Sequence, residues 1–494
     1  MKRRIFFLIL AAVMLTGCFS SCTSSLTEQE TAPEKEAVTT AESEQTPEKR
    51  DPTGFAAGFG RAVISPKASV GMAGYGNTEF RRSTVVEDDL TVSCTAVSDG
   101  ENTALLFSVD VIGLSVQNCN HIYKQLEKAL GIQSEFVVIN ATHCHSAPDV
   151  ASTDDASVVN YLKLFYPAVL QAAKEAVADL DRCEMKTCRA TTTNLNYVRR
   201  CFKEDGSFVA DCVINLSKAP VVRHETDADN EMQLLMFDRV NGKDILLMNW
   251  QCHVTAASGL KKTKITPDFV GALRDKMEKE AGVHFAYHQG AAANIEPKSY
   301  IESEPDHGDY KKHGALIADV ALAALSQMES VPTGKVRAVK KTVTCNHDLD
   351  VSGYDLTQAQ QIVDLKNSDQ FDRAKTLCIQ YGYNSPYHAS AVIGRSRRTE
   401  KSSTIDISAL AIGDVGFAVA PYEMFDTNGM QIKEQSPYAM TFVCAYSCGR
   451  YGYIPSSLAW DAGGYEVDTC KYVKGTGEML VDEFTGMLKE LQSF

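Results

Sequence analysis

The sequence lacks an excess of basic residues, which restricts the partners it can have. Its 494 residues include 49 lysines and arginines against 63 aspartates and glutamates, so the formal net charge at pH 7 is −14. A nucleic-acid-binding protein needs a cationic surface to neutralise phosphates, and no basic patch interleaved with aromatic residues occurs here. This composition argues against nucleic acid as a partner, and a hydrophobic content of 44% indicates a globular chain with a large core.

The sequence also lacks a hydrophobic run long enough to span a bilayer comfortably. The apolar run at residues 5–14 follows Lys2, Arg3 and Arg4. A membrane-spanning helix needs about 20 apolar residues, whereas a shorter run behind basic residues is typical of a secretory signal peptide. We therefore predict an exported protein without a second membrane segment.

The residues after this run resemble a bacterial lipoprotein signal, because the motif "LTGC" ends at Cys18. The resemblance implies removal of residues 1–17 as a lipoprotein signal peptide and acylation of the Cys18 thiol. Such a lipid anchor would place the protein on the bacterial cell membrane, at the outer surface or in the periplasm. The alternative is an ordinary secretory signal with an incidental cysteine. Residues 18–53 contain few groups to bury, so they are predicted to form a disordered acidic linker.

The fifteen cysteines lack the regular spacing of a disulfide framework, and their number is odd. Two close pairs occur, Cys183 with Cys188 and Cys444 with Cys448, but neither has the CxxC spacing of a structural zinc site. Most of the cysteines are therefore interpreted as small buried hydrophobic residues.

From Gly54 onward, predicted strands and helices alternate without an internal repeat. Periodicity and capping residues predict a single α/β domain over residues 54–494, with one large mixed sheet and flanking helices. Thr266 is the expected N-cap of the helix over residues 266–282. The predicted strands are residues 103–113, 137–140 and 244–250 with three more after residue 403, and the other predicted helices are residues 115–131, 158–180 and 309–329.

Four apolar strands are followed by a side chain that can bind a metal. These side chains are His143 with His145, then His253, Glu423 and Tyr453. In open α/β sheets ligands bind beyond the strand ends, so these residues can meet around one point. Two imidazoles and a carboxylate form a common zinc ligand set. The alternative is that each histidine is a hydrogen-bonded loop residue, because no short metal signature is present.

Several motifs in the same order resemble the N-terminal domain of the neutral, non-lysosomal ceramidases. "ATHCHSAPD" is similar to their "SHTHSGP", and "NWQCHVTA" to the strand leading to "HPTS". "VAPYEMF" is similar to "VPGEFT", and "YIPSSLAWDAGGYE" keeps the two tyrosines of "YxxxxEEYxxxxYE" at the family separation. The resemblance extends from about Gly54 to Tyr472, so it covers nearly all of the predicted domain.

The resemblance implies a zinc ion and a set of residues around it. By position, the metal ligands are His143, His253, Glu423 and Tyr453. The residues implied to lie beside the substrate amide are His145, Tyr465 and Arg199.

The chain departs from the family at the serine usually proposed to take part directly in catalysis. The family segment "NxGDVSPN" corresponds to "GAAANIEPKS", where Glu296 takes the serine position and Asn294 the preceding aspartate position. Glu296 is a candidate proton acceptor for water and donor to the leaving amine. Its alternative role is to cap a turn before Pro297.

Together these features predict a zinc-dependent hydrolase that cleaves an amide bond in an N-acyl, ceramide-like substrate. One alternative is a lipid-anchored binding protein that keeps the fold without turnover. Another is a hydrolase of a different substrate class, in which Glu296 and Glu423 form a carboxylate pair across a cleft. The oligomeric state cannot be inferred from the sequence.

Three other residues are assigned supporting roles. Asp110 can orient a ligand histidine or bond a strand end, and Asp268 can complement the dipole of the following helix. Cys144 is interpreted as a buried thiol, because adjacent residues of an extended segment point to opposite faces and leave it without a base.

Overall fold

The computed structural model describes residues 54–74, 81–210, 214, 216–257, 263–298, 309–368 and 370–493. The predicted signal peptide, the linker and the acylated Cys18 lie outside these residues and stay predictions. Among the helices in the described part of the chain, none combines the length and the hydrophobicity needed to cross a bilayer.

The chain alternates between strands and helices along its whole described length. The strands are β1 (Ala56–Val63), β2 (Val85–Val86), β3 (Thr91–Ser98), β4 (Thr103–Val109), β5 (Val137–Ala141), β6 (Asp181–Thr191), β7 (Asn196–Val198), β8 (Cys201–Lys203), β9 (Phe208–Val209), β10 (Val221–His224), β11 (Glu231–Arg239), β12 (Ile245–Trp250), β13 (Lys264–Ile265), β14 (His284–Gln289), β15 (Ile295–Pro297), β16 (Glu329–Val331), β17 (Val336–Asn346), β18 (Ser402–Ile412), β19 (Val415–Val419), β20 (Glu423–Met424), β21 (Met440–Cys444) and β22 (Tyr453–Ile454).

The helices flank the sheets or connect their strands. They are α1 (Val116–Leu130), α2 (Ala156–Ala178), α3 (Phe269–Glu280), α4 (Tyr310–Ala324), α5 (Leu356–Asn367), α6 (Phe371–Tyr381), α7 (Pro386–Arg397), α8 (Asp426–Gln435), α9 (Ser457–Ala462), α10 (Tyr465–Thr469) and α11 (Thr476–Ser493), with short 3₁₀ turns at Ser134–Phe136 and Leu325–Gln327.

The main sheet contains nine of the described strands. Its order is β14, β12, β11, β6, β1, β3, β4 and β5, and β16 also pairs with β6. Neighbouring strands are antiparallel except for the parallel pairs at the two ends, β12 with β14 and β4 with β5. Both parallel pairs are separated in sequence by a helix, α3 and α1 respectively, as parallel connections require.

Both faces of the main sheet are buried, against different partners. In β4, Leu105 and Phe107 point into a core shared with helices α1 to α4, whereas Leu106 points into a core on the opposite face. This alternation follows from the two-residue period of a strand. The second core is closed by a four-stranded sheet, β17-β18-β19-β21, and α11 packs on that sheet. The layers are therefore helix, sheet, sheet and helix, and the predicted large mixed sheet with flanking helices is confirmed.

Capping residues explain why the boundaries of α1 could be predicted from the sequence. The Ser115 hydroxyl accepts a hydrogen bond from the backbone N–H of Asn118, and the Asn118 side-chain oxygen accepts one from the backbone N–H of Ser115, so the pair forms a capping box. Gly131 ends the helix at a φ of 74°, a left-handed conformation that favours glycine. Both ends agree with the predicted helix over residues 115–131 within one residue.

The predicted start of α3 was wrong. The N-cap is Asp268, whose carboxylate accepts a hydrogen bond from the backbone N–H of Phe269 at 2.6 Å. Thr266 instead donates its hydroxyl to Asp88. Asp268 lies at a φ of 59°, so the chain turns sharply there before the helix begins.

Helices α5, α6 and α7 were missed in the polar stretch before residue 403. They pack on one another around a small core of their own that includes Ile362, Cys378 and Val392. Asp355 and Ser385 cap two of them, and Gly382 ends the third in a left-handed conformation. These capping residues could have indicated the three helices in the sequence. The apolar stripe on each helix is narrow and gives only a weak helical pattern.

The twelve cysteines in the described part of the chain are all free, and all but Cys448 are buried. Their interpretation as small hydrophobic residues is confirmed there.

His288 is a buried polar side chain whose effect on stability can be tested. It is fully buried in β14, and neither ring nitrogen has a hydrogen-bond partner among the described residues. Burial lowers its pKa to about 4, from an ordinary value of about 6.5. Between these values the unfolded chain binds a proton that the folded chain does not, so stability falls as the pH decreases from about 6.5 to about 4.

We expect His288→Leu to raise the free energy of unfolding by about 1 kcal/mol at pH 7, because two unpaired nitrogens are removed. Between about pH 6.5 and about pH 4, the free energy of unfolding of the variant should fall less steeply with decreasing pH than that of the parent, by about 1.4 kcal/mol per pH unit. Urea unfolding at several pH values measures both effects, with the exposed His121→Gln as control. A variant that is less stable than the parent and keeps the full acid dependence contradicts this interpretation.

Candidate metal centre

The candidate site forms where the two ends of the main sheet meet. Asn140 is the penultimate residue of β5. Its side chain donates to the backbone oxygen of Gln289 at 3.3 Å and accepts from the backbone nitrogen of Gln289 at 2.7 Å. The same side chain donates to the carbonyl of Ala445, just after β21, at 2.6 Å. One buried amide thus connects β5, β14 and the second sheet, and it brings the loops after these strands together.

His143 and His253 face each other inside this junction, and both are almost fully buried. The Nδ1 atom of His143 lies 2.8 Å from the carbonyl oxygen of Ile112, and that of His253 lies 2.7 Å from the carbonyl oxygen of Ala292. A carbonyl oxygen only accepts, so each Nδ1 carries the hydrogen and each Nε2 presents a lone pair. The two Nε2 atoms are 3.2 Å apart. Two lone pairs at this distance repel each other, and a cation between them would relieve that repulsion.

His145 belongs to the same group. Its Nε2 lies 3.2 Å from the Nε2 of His143, and the candidate ligand atoms of His143, His145 and His253 all lie within 4.8 Å of one another. Two imidazole ligands of a tetrahedral zinc, each about 2.05 Å from the ion, are roughly 3.3 Å apart. The separations therefore suit one shared ion. The family resemblance assigned His145 to the substrate side, whereas its geometry also makes it a candidate ligand.

The protonation of the three imidazoles suits metal binding as well. Burial, followed by the neighbouring imidazoles, holds the pKa values of His143 and His145 well below the ordinary range. Burial, followed by the Arg199 charge, lowers the pKa of His253 to about 3. All three rings are therefore neutral at pH 7, which is the form that binds metals.

Glu423 completes the group with an oxygen. Its Oε2 lies 3.6 Å from the Nε2 of His143 and has no hydrogen-bond partner among the described residues. Burial raises the pKa of Glu423, while the Arg450 charge opposes the shift. Glu423 and Tyr453 are aligned in the parallel pair β20 and β22. A buried carboxylate oxygen beside three neutral imidazoles fits the ligand chemistry of zinc.

Gly74 borders His145 and has little freedom to change. It lies at a φ of 111°, and a Cβ at this position would be 2.5 Å from the Nδ1 of His145. A side chain there would displace the imidazole, so the backbone at Gly74 acts as a wall of the centre.

Glu296 lies next to the histidines within a network of charged side chains. Its strand β15 pairs with β7, and the adjacent Ile295 carbonyl accepts a hydrogen bond from the backbone of His253 at 3.1 Å. The Glu296 carboxylate accepts from Arg199 at 2.8 Å and from the Thr255 hydroxyl at 2.7 Å. Its bonds are therefore to side chains of the site, which favours the chemical role over the turn cap.

Arg199 is held between two carboxylates. Its Nε donates to the fully buried Glu466 at 2.7 Å, and its Nη1 donates to Glu296. Glu466 also accepts from Arg200 at 2.9 Å. The guanidinium therefore has a fixed position beside the histidines, where its charge contributes to lowering their pKa values.

Tyr465 lies beside Tyr453. Their ring centroids are 5.6 Å apart, and Tyr387 of α7 packs on the other side of Tyr465 at 5.6 Å. The structure thus places the predicted residues around one centre, and the contact of Tyr465 with this group is through the ring of Tyr453.

Two of the residues assigned supporting roles, Asp110 and Cys144, have different outcomes, and Asn294 has a structural contact of its own. Asp110 accepts from Arg274 at 2.8 Å and from the backbone N–H of Thr91, the first residue of β3, at 2.9 Å, so its alternative role at a strand end is confirmed. Its suggested role of orienting a ligand histidine was wrong, because backbone carbonyls orient the rings. The Cys144 thiol is buried and donates to the carbonyl of Thr266 at 3.1 Å, as expected of an inert thiol. Asn294 exchanges two hydrogen bonds with Asp426, so it supports the loop that carries Glu296.

Tyr446 is a site residue that sequence reasoning missed. Its ring packs on His143 with centroids 4.0 Å apart. The available signal was its place in the loop after β21, the strand whose following loop reaches Tyr453.

No protein-family model and no curated protein sequence matches the chain. The solved structure of a neutral ceramidase from Pseudomonas aeruginosa is similar, with a TM-score of 0.68 and 17% sequence identity over 90% of this chain and 75% of that one. A ceramidase complexed with C2 is similar, with a TM-score of 0.67 and 16% identity over 89% of this chain and 76% of that one. The chain therefore has the fold of the neutral ceramidases, in agreement with the resemblance of its motifs.

Proposed function

We propose that the protein is a zinc-dependent hydrolase of the ceramidase kind, which cleaves the amide bond of an N-acyl lipid. The observation that carries this proposal is the convergence of three neutral Nε2 atoms, two of them with lone pairs fixed by backbone carbonyls. The fold shared with the P. aeruginosa neutral ceramidase supports the substrate class. The predicted acylated Cys18 would keep the exported enzyme at a membrane, where such lipids are found.

His143, His253 and Glu423 would hold the zinc ion, with Tyr453 beside Glu423 as the further ligand implied by the family and His145 as the alternative to Tyr453. When bound, zinc supplies a Lewis acid for the amide carbonyl and lowers the pKa of a water to about 7.

Glu296 is the proposed proton carrier in place of the family serine. It accepts the proton of the attacking water as the C–O bond forms, and it delivers that proton to the amine nitrogen as the C–N bond breaks. The products are a carboxylic acid and an amine. Thr255 and Arg199 bond both oxygens of the carboxylate and hold it in place for these transfers.

One observation favours a second candidate function, a lipid-binding protein without turnover. The position of the family serine carries a carboxylate that is ion-paired to Arg199 at 2.8 Å, so no hydroxyl nucleophile is present there. The carboxylate pair of Glu296 and Glu423 is less supported, because Glu423 lies with the histidines.

Zinc content tests the proposed centre directly. We expect purified parent protein to contain about one zinc per chain by elemental analysis, and added zinc to raise the melting temperature of metal-stripped protein. His253→Ala and Glu423→Ala should lose most of the metal and the thermal response, whereas the exposed His121→Ala should keep both. A parent that binds no zinc under these conditions is incompatible with the hydrolase.

Turnover by the Glu296→Gln variant tests the proton carrier. Zinc-loaded parent is assayed against N-acyl sphingosines of short and long chain, N-acyl amino acids and simple esters. We expect Glu296→Gln to lower kcat on the best amide about 10²- to 10⁴-fold, the usual contribution of general acid and base catalysis, while its zinc content is unchanged.

The matched control is Glu101→Gln. Glu101 is exposed and pairs with Lys335, and neither residue belongs to the candidate centre, so this variant should behave as the parent. Unchanged turnover in Glu296→Gln removes this residue from the mechanism. Binding of the amides without turnover by the zinc-loaded parent favours the binding protein.

A further inference from the structure

Tyr446 lies in a strained and tightly fixed segment beside the histidines. Its φ is 56°, a left-handed conformation that a bulky residue adopts only when its surroundings impose it. Its backbone nitrogen donates to the carbonyl of Tyr422 at 3.0 Å, and its carbonyl accepts from Ala141 at 3.3 Å. The fold therefore fixes the direction of this side chain from both sides.

The aromatic ring has a structural role that is easy to identify. It stacks against His143 at 4.0 Å with an interplanar angle of 31°, and it meets His253 edge-on at 6.5 Å. A phenylalanine would make the same contacts. The ring alone does not explain why the residue carries a hydroxyl.

The Tyr446 hydroxyl is buried and has no hydrogen-bond partner among the described residues. Buried tyrosine hydroxyls normally find a partner, as Tyr287 does by donating to the carbonyl of Trp250 at 2.9 Å. Tyr446 lines the same small cavity as His143 and Glu423, two residues of the candidate centre. The hydroxyl is therefore an unused donor held within the site.

We propose that the Tyr446 hydroxyl donates a hydrogen bond to the carbonyl oxygen of the substrate amide. This inference rests on the proposed function. No carbonyl of the described residues accepts from this hydroxyl, so the carbonyl oxygen of a bound amide can be its acceptor. Since negative charge develops on that oxygen as water attacks, the hydrogen bond strengthens in the transition state and Tyr446 acts as a catalytic residue.

The Tyr446→Phe variant tests the proposal, because it keeps the ring on His143 and removes only the oxygen. With the best amide of the substrate panel, we expect kcat to fall about 10²- to 10³-fold, the usual effect of losing one such donor, while KM changes less than about threefold. Zinc content and melting temperature should stay at or above the parent values. The matched control is Tyr438→Phe, which removes another buried hydroxyl that has no partner in the described part of the chain and should leave kcat unchanged.

A spectroscopic measurement keeps the test independent of turnover. The infrared band of a ¹³C-labelled N-hexanoyl amide bound to the zinc-loaded protein should lie at lower frequency in the parent than in Tyr446→Phe. An amide that binds but is not cleaved would contradict the proposed hydrolase, and this band shift would still support Tyr446. Equal band positions, a kcat within about threefold of the parent, or a loss of zinc in Tyr446→Phe would each overturn the inference.

Discussion

The candidate centre depends on two hydrogen bonds from imidazole rings to backbone carbonyls. Because the Nδ1 atoms of His143 and His253 donate to Ile112 and Ala292, both Nε2 lone pairs must point inward. Burial then keeps these rings uncharged, so the lone pairs are available at neutral pH. A protein without a cation here would hold two acceptors 3.2 Å apart in a dry interior, which is unfavourable. A bound ion changes this repulsion into coordination.

The fold makes this arrangement possible by joining strands that are far apart in the sheet order. β5 and β14 stand at opposite ends of the main sheet, yet Asn140 bonds across to Gln289 and to the loop after β21. The loops that carry His143 and Glu423 are thereby placed beside the one that carries His253. The layers of helix and sheet on either side bury His143 and His253 in this junction. The site is consequently a product of the whole domain and of no single motif.

Much of the fold and part of the site were predictable from the sequence, for identifiable reasons. Strands such as β5 and helices such as α1 were readable because their apolar period and caps are local properties. The polar residues after the strands marked His143, His253 and Glu423 as candidates, and the motif resemblance added their order. The carbonyl partners of the rings and the hydroxyl of Tyr446 were not predictable, because they depend on which loops the sheet brings together. Asp110 misled for the same reason, since its partner Arg274 lies on a helix distant in sequence.

The most direct test of the central claim is anomalous X-ray diffraction from crystals of the zinc-loaded protein, measured on both sides of the zinc absorption edge. The account predicts one strong anomalous peak about 2.0–2.1 Å from the Nε2 atoms of His143 and His253, with the His145 ring and the Glu423 carboxylate next to it. A peak located elsewhere, or no peak between the facing Nε2 atoms of His143 and His253 at full zinc loading, would contradict it.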